Sequence, residues 1–598
     1  MTKTSYPVVW DLDVFFKGGS DSEELRRHLD ETKERLASIA EKFNKFETPT
    51  SVNQAEEVSN LIEEGSNLAQ HIRQAGAFIS CLEAQDMSDH KASTLRSEVT
   101  ELSATYGAAF NSFKQKLAQT DENVWQEFLE HDKLAELTFV LNEWRDAAQE
   151  QLSEDEEALI SSLSVDGYHA WGQMYNTIVG GMTVNVTVDG EEKELSVGQA
   201  NNLLSHENPE VRKQVYEKLE ASWKEKESLF ANTLNHLAGF RLNVYKKRGW
   251  DNVLKEPLDI NRMQQETLDA MWGAITKHKQ PFVDFLYRKA ELLGKDKLEW
   301  YDLGAPTQEN SQKLSYDEGA QFILKHFEEF SPIMAKFSKT AFEEGWIEAE
   351  DRSGKRPGGF CTGFPLSEQS RIFMTYSGSM SNVATLAHEL GHAYHSYALK
   401  PVHPLNRRYA MNVAETASTF AEMIVADAAV KAADTKEDQI ALLEDKLQRS
   451  VAFFMNIHSR FLFETRFYEE RKNGFVPASR LNELTDEAQR EAYCDAVNST
   501  SPSYWSNKLH FHITGVPFYN FPYTFGYLFS LSIYAKALEE GTNYEDQYIA
   551  LLQDTARMSV EDLAMKHLGE DITKEAFWEK GIELCKKDVA EYLELTSK

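Results

Sequence analysis

The sequence predicts a mainly α-helical protein, and three observations lead there. Apolar residues recur at helical spacing over most of the first 180 residues. Signals for β-structure are confined to two short stretches, 182–197 and 351–376. The one motif with evident chemistry, His388-Glu389-Leu390-Gly391-His392, lies in a proline-free segment with helical apolar spacing. A chain of 598 residues with 41% hydrophobic and 11% aromatic content can bury a sizeable core, which excludes a disordered protein. We expect an N-terminal helical region over residues 1–200 and a catalytic helical region over 201–598.

The elements follow in order. Ser20-Asp21-Ser22-Glu23 is a capping-box signature ahead of Leu25 and Leu29. Long helices are expected at about 52–85 and 90–117, with shorter ones to 150. The acidic run Glu154-Asp155-Glu156-Glu157 opens another, since negative charge suits a helix N-terminus. Met182 to Val188 alternates, Asp189-Gly190 turns and Glu191 to Val197 returns, which predicts a hairpin. Asn208-Pro209 starts a long helical region. Gly354, Pro357, Gly358 and Gly359 then break the chain, and Arg371 to Tyr376 reads as a short strand. Ser381 or Asn382 would cap the helix that carries the motif. Met411 to Val425 reads as one further helix.

The motif is H-E-x-x-H. On a helix, residues four apart share a face, so His388 and His392 can grip one metal ion, while Glu389 projects beside it as a proton acceptor for a bound water. A catalytic zinc takes three protein ligands and leaves one place open. The longer histidine motif fails, because Ala398 stands where its third histidine would be. His395 is a possible ligand, but three successive turns of one straight helix cannot all converge on one ion, so a second element is needed. The apolar segment 411–425 carries Glu415 and Glu422, seven residues apart on one helical face. Carboxylates in such a helix are costly unless paired or metal-bound. Glu415 is therefore the expected third ligand. Glu422 is expected to hold a ligand histidine by its free N–H. The plainer alternative is that both face water.

Tyr519, Tyr523 and Tyr527 are spaced to form one stripe on a helix. Such a stripe is either core or, with Gly526 allowing close approach and a histidine upstream, a set of hydroxyls facing a wet cleft. A phenol aimed at a developing oxyanion stabilises a transition state.

Together these segments resemble the oligoendopeptidase F branch of the thimet-oligopeptidase-like zinc metallopeptidases. The H-E-x-G-H helix matches His388 to His392, E-x-x-S-x-x-x-E matches Glu415, Ser418 and Glu422, and the C-terminal histidine- and tyrosine-rich segment matches His510 through Tyr527. The likeness extends from Trp10-Asp11-Leu12 to Ala576-Phe577-Trp578. It implies two helical lobes enclosing a deep active-site channel, with small β elements near the zinc site and a strand edge at Arg371 to Tyr376 that pairs with extended substrate. It also implies that Tyr519 or Tyr523, with His510 or His512, steadies the oxyanion. The expected protein is an endopeptidase with one Zn2+ per chain, hydrolysing internal bonds of oligopeptides. The alternatives are a helical metallo-carboxypeptidase, which needs a device for a free C-terminal carboxylate, and a non-catalytic acidic helical binding protein, which has no use for Glu389.

Net charge is −33, from 96 acidic and 63 basic residues. That argues against nucleic acid and anionic membranes as partners, and is compatible with cationic or neutral peptides. The four cysteines are scattered, with no C-x-x-C pair. No apolar signal segment follows the N-terminus and no run reaches membrane-spanning length, so a cytoplasmic location is expected.

Overall fold

The computed structural model describes residues 5–188, 190–308 and 313–597. Helices dominate, and many begin at a side-chain cap. Helix Glu23–Lys45 starts where Ser22 accepts the N–H of Leu25 at 3.2 Å. Its stripe of Leu25, Leu29, Leu36, Ile39 and Phe43 is buried. It packs against helices Ala55–Gln85 and His90–Ala118. The apolar cluster so formed runs from Trp10 to Leu141, then adds Phe364, Phe373 and Leu405. A second, larger cluster takes in Tyr6 and runs from Tyr175 to Tyr592.

Strands β1 (Thr183–Val188) and β2 (Glu191–Ser196) form the expected antiparallel hairpin. Gly190 closes it at a φ of 81°, while Asp189 lies outside the described residues. Val184, Val186 and Val188 point inward, next to helix Pro209–Glu225, which Asn208 caps.

A second sheet contains β3 (Ile347–Glu348), β4 (Phe360–Phe364) and β5 (Gln369–Phe373), in the order β3-β5-β4. β3 runs parallel to β5, and β4 antiparallel to it. Alternation along β5 sends Ile372 into one apolar cluster and Phe373 into the other, so this sheet is the seam between them. The N-terminal segment is tied to it, with Arg371 Nη2 donating to the Asp11 carbonyl at 2.9 Å. The strand expected at Arg371–Tyr376 thus starts two residues earlier, ends three earlier and is central, so it is not the edge that could pair with substrate. The free edge belongs to β4, whose sequence Phe-Cys-Thr-Gly-Phe lacks an alternating pattern.

Helix Met380–Ala398 carries the motif. Its cap is Ser379, which accepts the N–H of Asn382 at 3.2 Å, and not Ser381 or Asn382. The Asn382 side chain instead accepts the Ser377 N–H at 2.8 Å, which ties the incoming loop. The segment 411–425 is not one helix. A 3-10 turn at Met411–Val413 is followed by a bend, and helix Ser418–Lys431 begins after Glu415. Asn412, donating to the Asn261 carbonyl at 2.9 Å, holds that turn in place. Among the described residues no helix is long and apolar enough to cross a membrane.

Candidate metal centre

His388 and His392 leave the motif helix side by side, ring centroids 4.9 Å apart. Glu415 meets them from the bend before helix Ser418–Lys431. Its Oε2 lies 3.2 Å from His388 Nε2 and 3.5 Å from His392 Nε2. One donor atom from each of the three residues falls within 4.8 Å of the others. Two imidazoles and a carboxylate are the donor set of a catalytic zinc with a place left open.

Each donor is held from behind. His388 Nδ1 lies 2.9 Å from Glu422 Oε2, and a carboxylate can only accept, so with a metal on Nε2 the ring proton would sit on Nδ1 and donate to Glu422. The other oxygen of Glu422 pairs with the guanidinium of Arg449, from helix Lys436–Val451. Ser418 donates to Glu415 Oε2 at 2.6 Å, and Ser530 to the Glu415 carbonyl at 3.0 Å. Two glycines let these segments close. A Cβ on Gly391 would stand 2.5 Å from the Ala417 carbonyl oxygen, and one on Gly526 would stand 3.2 Å from Glu415 Cβ.

Electrostatics match the geometry. Burial pushes the Glu415 carboxyl up, but the neighbouring His388 and His392 and the Ser418 hydroxyl outweigh it and hold the group at about 2. Burial lowers His392 to about 4, which leaves its imidazole neutral and able to donate a lone pair. Glu389 is raised to about 7 by burial, against the pull of His388 and with help from Glu415. A divalent cation beside it would draw that value back down. Among the described residues, the buried Glu389 Oε2 has no hydrogen-bond partner, as expected of a carboxylate whose partner is a reacting group.

Two cavities of about 350 Å³ each flank the donors. One is bordered by Gly359 and the β4 residues Phe360 to Gly363 that follow it, with Glu389 and His392. The other is lined by His388, Glu415, Glu422, Arg449 and Tyr523, among others.

The tyrosine segment divides. Helix Phe521–Glu540 begins after Tyr519, so Tyr519 is not on a helical stripe with Tyr523. The two rings nevertheless lie 5.8 Å apart. His510 joins them at 5.3 Å from Tyr519 and 6.2 Å from Tyr523. Burial, with Arg460 and Lys508 nearby, lowers His510 to about 4, and burial raises the Tyr523 phenol, with Tyr519 adding to it. Tyr527 is core, its hydroxyl 3.0 Å from Ser450 Oγ. His512 is also packed away from the donors. It is 1% exposed and stacks on Tyr175 at 4.0 Å. His395 stacks on Tyr409 and sits 2.9 Å from Thr555 Oγ1, outside the donor cluster.

Sequence reasoning missed Arg449, the β4 edge and a π-helical turn at Ala452–Asn456, where the Phe453 carbonyl accepts the Thr524 hydroxyl at 2.7 Å. Arg449 has no local signal, being one cation on an amphipathic helix. Gly359, whose Cβ position lies 3.6 Å from Glu389 Oε1, is the nearest thing to a marker for the β4 edge.

A helical body, an H-E-x-G-H helix and a third carboxylate from a following segment define a metal-dependent peptidase. The chain belongs to Peptidase family M3, whose model matches residues 202–584, and the model described as Oligopeptidase F matches residues 116–183. It is similar to Oligopeptidase PepF of Bacillus subtilis (strain 168), 24% identical over 497 residues, or 81% of this chain and 72% of that one. It is also similar to the Oligoendopeptidase F homolog of Lactococcus lactis subsp. lactis (strain IL1403), 23% identical over 606 residues, or 99% and 98%. In fold it is similar to the crystal structure of oligoendopeptidase-F from Enterococcus faecium, with a TM-score of 0.70 and 19% identity over 96% of this chain and 99% of that one.

Proposed function

We propose that the protein is a zinc endopeptidase of oligopeptides, with His388, His392 and Glu415 as ligands of a single Zn2+. The observation that carries this is the convergence of the three donor atoms beside Glu389, whose buried Oε2 has no partner among the described residues. When bound, zinc supplies Lewis acidity, polarising the scissile carbonyl and lowering the pKa of a neighbouring water. Glu389 takes the proton from that water and passes it to the leaving amine. Glu422 keeps the His388 tautomer that presents Nε2, and Arg449 holds Glu422 in place. Tyr523, with Tyr519 and His510 behind it, supplies phenol hydroxyls for the oxyanion. His512 anchors the loop that carries His510. Substrate lies extended along β4, where main chain is read and side chains little, which suits broad specificity.

Oligopeptide substrates are favoured by the names of the similar proteins and by a β4 edge that borders the same cavity as Glu389. A cytoplasmic setting agrees with four cysteines that are all free. The test is cleavage of a quenched-fluorescent peptide blocked at both ends. Internal cleavage that stops with a chelator and returns with Zn2+ is the expected result. Cleavage only of peptides with a free C-terminus, or turnover indifferent to the chelator, would refute the reading.

A further inference from the structure

We propose that a cationic pocket at the far end of β4 binds a carboxylate of the substrate three to four residues from the scissile bond. The inference rests on the peptidase reading above and adds to it a recognition element. A third cavity, of about 330 Å³, shares Arg73, Gly363, Ser396 and Tyr409 with the cavity that holds Glu389 and His392. The two therefore adjoin each other across these four residues. In a chain of net charge −33, this end is lined by four cations, Arg73, Lys400, Arg407 and Arg408, against the single carboxylate of Glu368.

The cations are poorly neutralised. Lys400 Nζ is 3.8 Å from Glu368, a loose pair. Arg407 donates to two carbonyls, of Val402 at 2.6 Å and Lys400 at 2.9 Å, which fix the guanidinium without cancelling its charge. Arg73 and Arg408 pair with no carboxylate among the described residues. Like charges crowded into one groove repel one another, and an anion entering it relieves that repulsion. A planar guanidinium fork matches a carboxylate in particular.

β4 is the ruler. The Cβ position of Gly359 lies 3.6 Å from Glu389 Oε1, and that of Gly363 lies 3.8 Å from Arg73 Nη2. At roughly 3.3 Å per residue the two ends are about 13 Å apart. A peptide paired with β4 keeps step with it, so its anion falls three or four residues from the cleaved bond. That distance separates this pocket from a carboxypeptidase anchor, which must sit one residue from the bond. The carboxylate could be the C-terminus of a short peptide or the side chain of Asp or Glu, and both have the same chemistry.

The experiment uses quenched peptides with one cleavage site in three matched pairs. One pair has a free or amidated C-terminus four residues beyond the bond. The others carry Glu or Gln at the fourth residue on either side. With the wild-type protein, one pair should differ about tenfold in KM at similar kcat, as for a charge-assisted contact. The difference should shrink as salt rises. The pair that responds identifies the source of the carboxylate. The double variant Arg73→Gln, Lys400→Gln should abolish the difference and leave turnover of the neutral peptide unchanged. Equal KM values in all three pairs, or a preference that survives in the double variant, would overturn the proposal. If no peptide is cleaved, the peptidase reading fails instead. The pocket is then judged by anisotropy of the labelled carboxylate and amide peptides, where equal affinities for the wild type would overturn it.

Discussion

Glu415 reaches the histidines because small residues surround it. Gly391 and Gly526 leave room on two sides, and Ser418 and Ser530 hold its carboxylate and carbonyl. Glu415→Ala should leave two histidines, a poor zinc site, and metal analysis should find the purified variant largely empty. Glu422→Ala frees His388 Nδ1 and should weaken zinc binding by roughly 10–100-fold in a competition titration. If Glu415→Ala stays loaded, the third ligand is misassigned. Gly391→Ala places a methyl group 2.5 Å from the Ala417 carbonyl oxygen. It should cost about 1–3 kcal/mol as overpacking, read from denaturant unfolding, and should weaken zinc binding as the segments part. At this scale the motif was legible, because residues four apart on a helix share a face whatever surrounds them. Glu415 and Glu422 were legible as costly carboxylates in an apolar segment, although the single helix inferred from their spacing is absent. They converge on His388 across a bend that local spacing does not encode, and Arg449 carries no local signal at all.

Among elements, the segment from His510 to Tyr527 shows how one stretch serves two purposes. Its packed half includes His512, which burial holds at about 3 against an ordinary value of 6.5. The folded-state value is depressed, so the stabilisation from a neutral His512 is complete above pH 6.5 and is lost as pH falls toward 3. His512→Phe keeps a ring on Tyr175 and removes the titration. Its acid unfolding midpoint should move to lower pH, with activity at neutral pH nearly unchanged. Abolished activity would instead assign His512 to the chemistry. Tyr523→Phe removes one hydroxyl from the cavity that holds His388 and Glu415, and kcat should fall roughly 10²-fold with KM changed less. An unchanged kcat would remove Tyr523 from the oxyanion role. Period and spacing could not divide this segment, because an aromatic stripe looks the same whether it faces core or cleft. The β4 edge was hidden for a related reason. Phe-Cys-Thr-Gly-Phe alternates in no way that marks it, and its importance comes from pairing with β5 and from standing beside Glu389.

Over the whole molecule, two apolar clusters meet at a small sheet, and the metal donors sit against that seam, between cavities. The helical architecture was legible because long amphipathic stretches state their period plainly. The charge distribution was not, since a net −33 says nothing of the cations gathered at one end of β4. A free peptide can lie along β4, whereas a loop held in a folded domain cannot leave its own hydrogen bonds to do so. One cleavable sequence, tested as a peptide and as a surface loop of a stable domain, should be cut only as the peptide, with fragments read by mass spectrometry. Comparable rates would contradict the account in which substrate pairs with β4.

The central claim is that Glu389 moves the proton while His388, His392 and Glu415 hold the metal. Glu389→Gln separates the two roles, since it keeps the shape of the side chain and touches no donor atom. The decisive measurement is zinc content and peptide turnover on the same preparation of this variant. The account predicts one zinc per chain with turnover lowered about 10²–10⁴-fold or more. A fully loaded variant that turns over at the wild-type rate would contradict it.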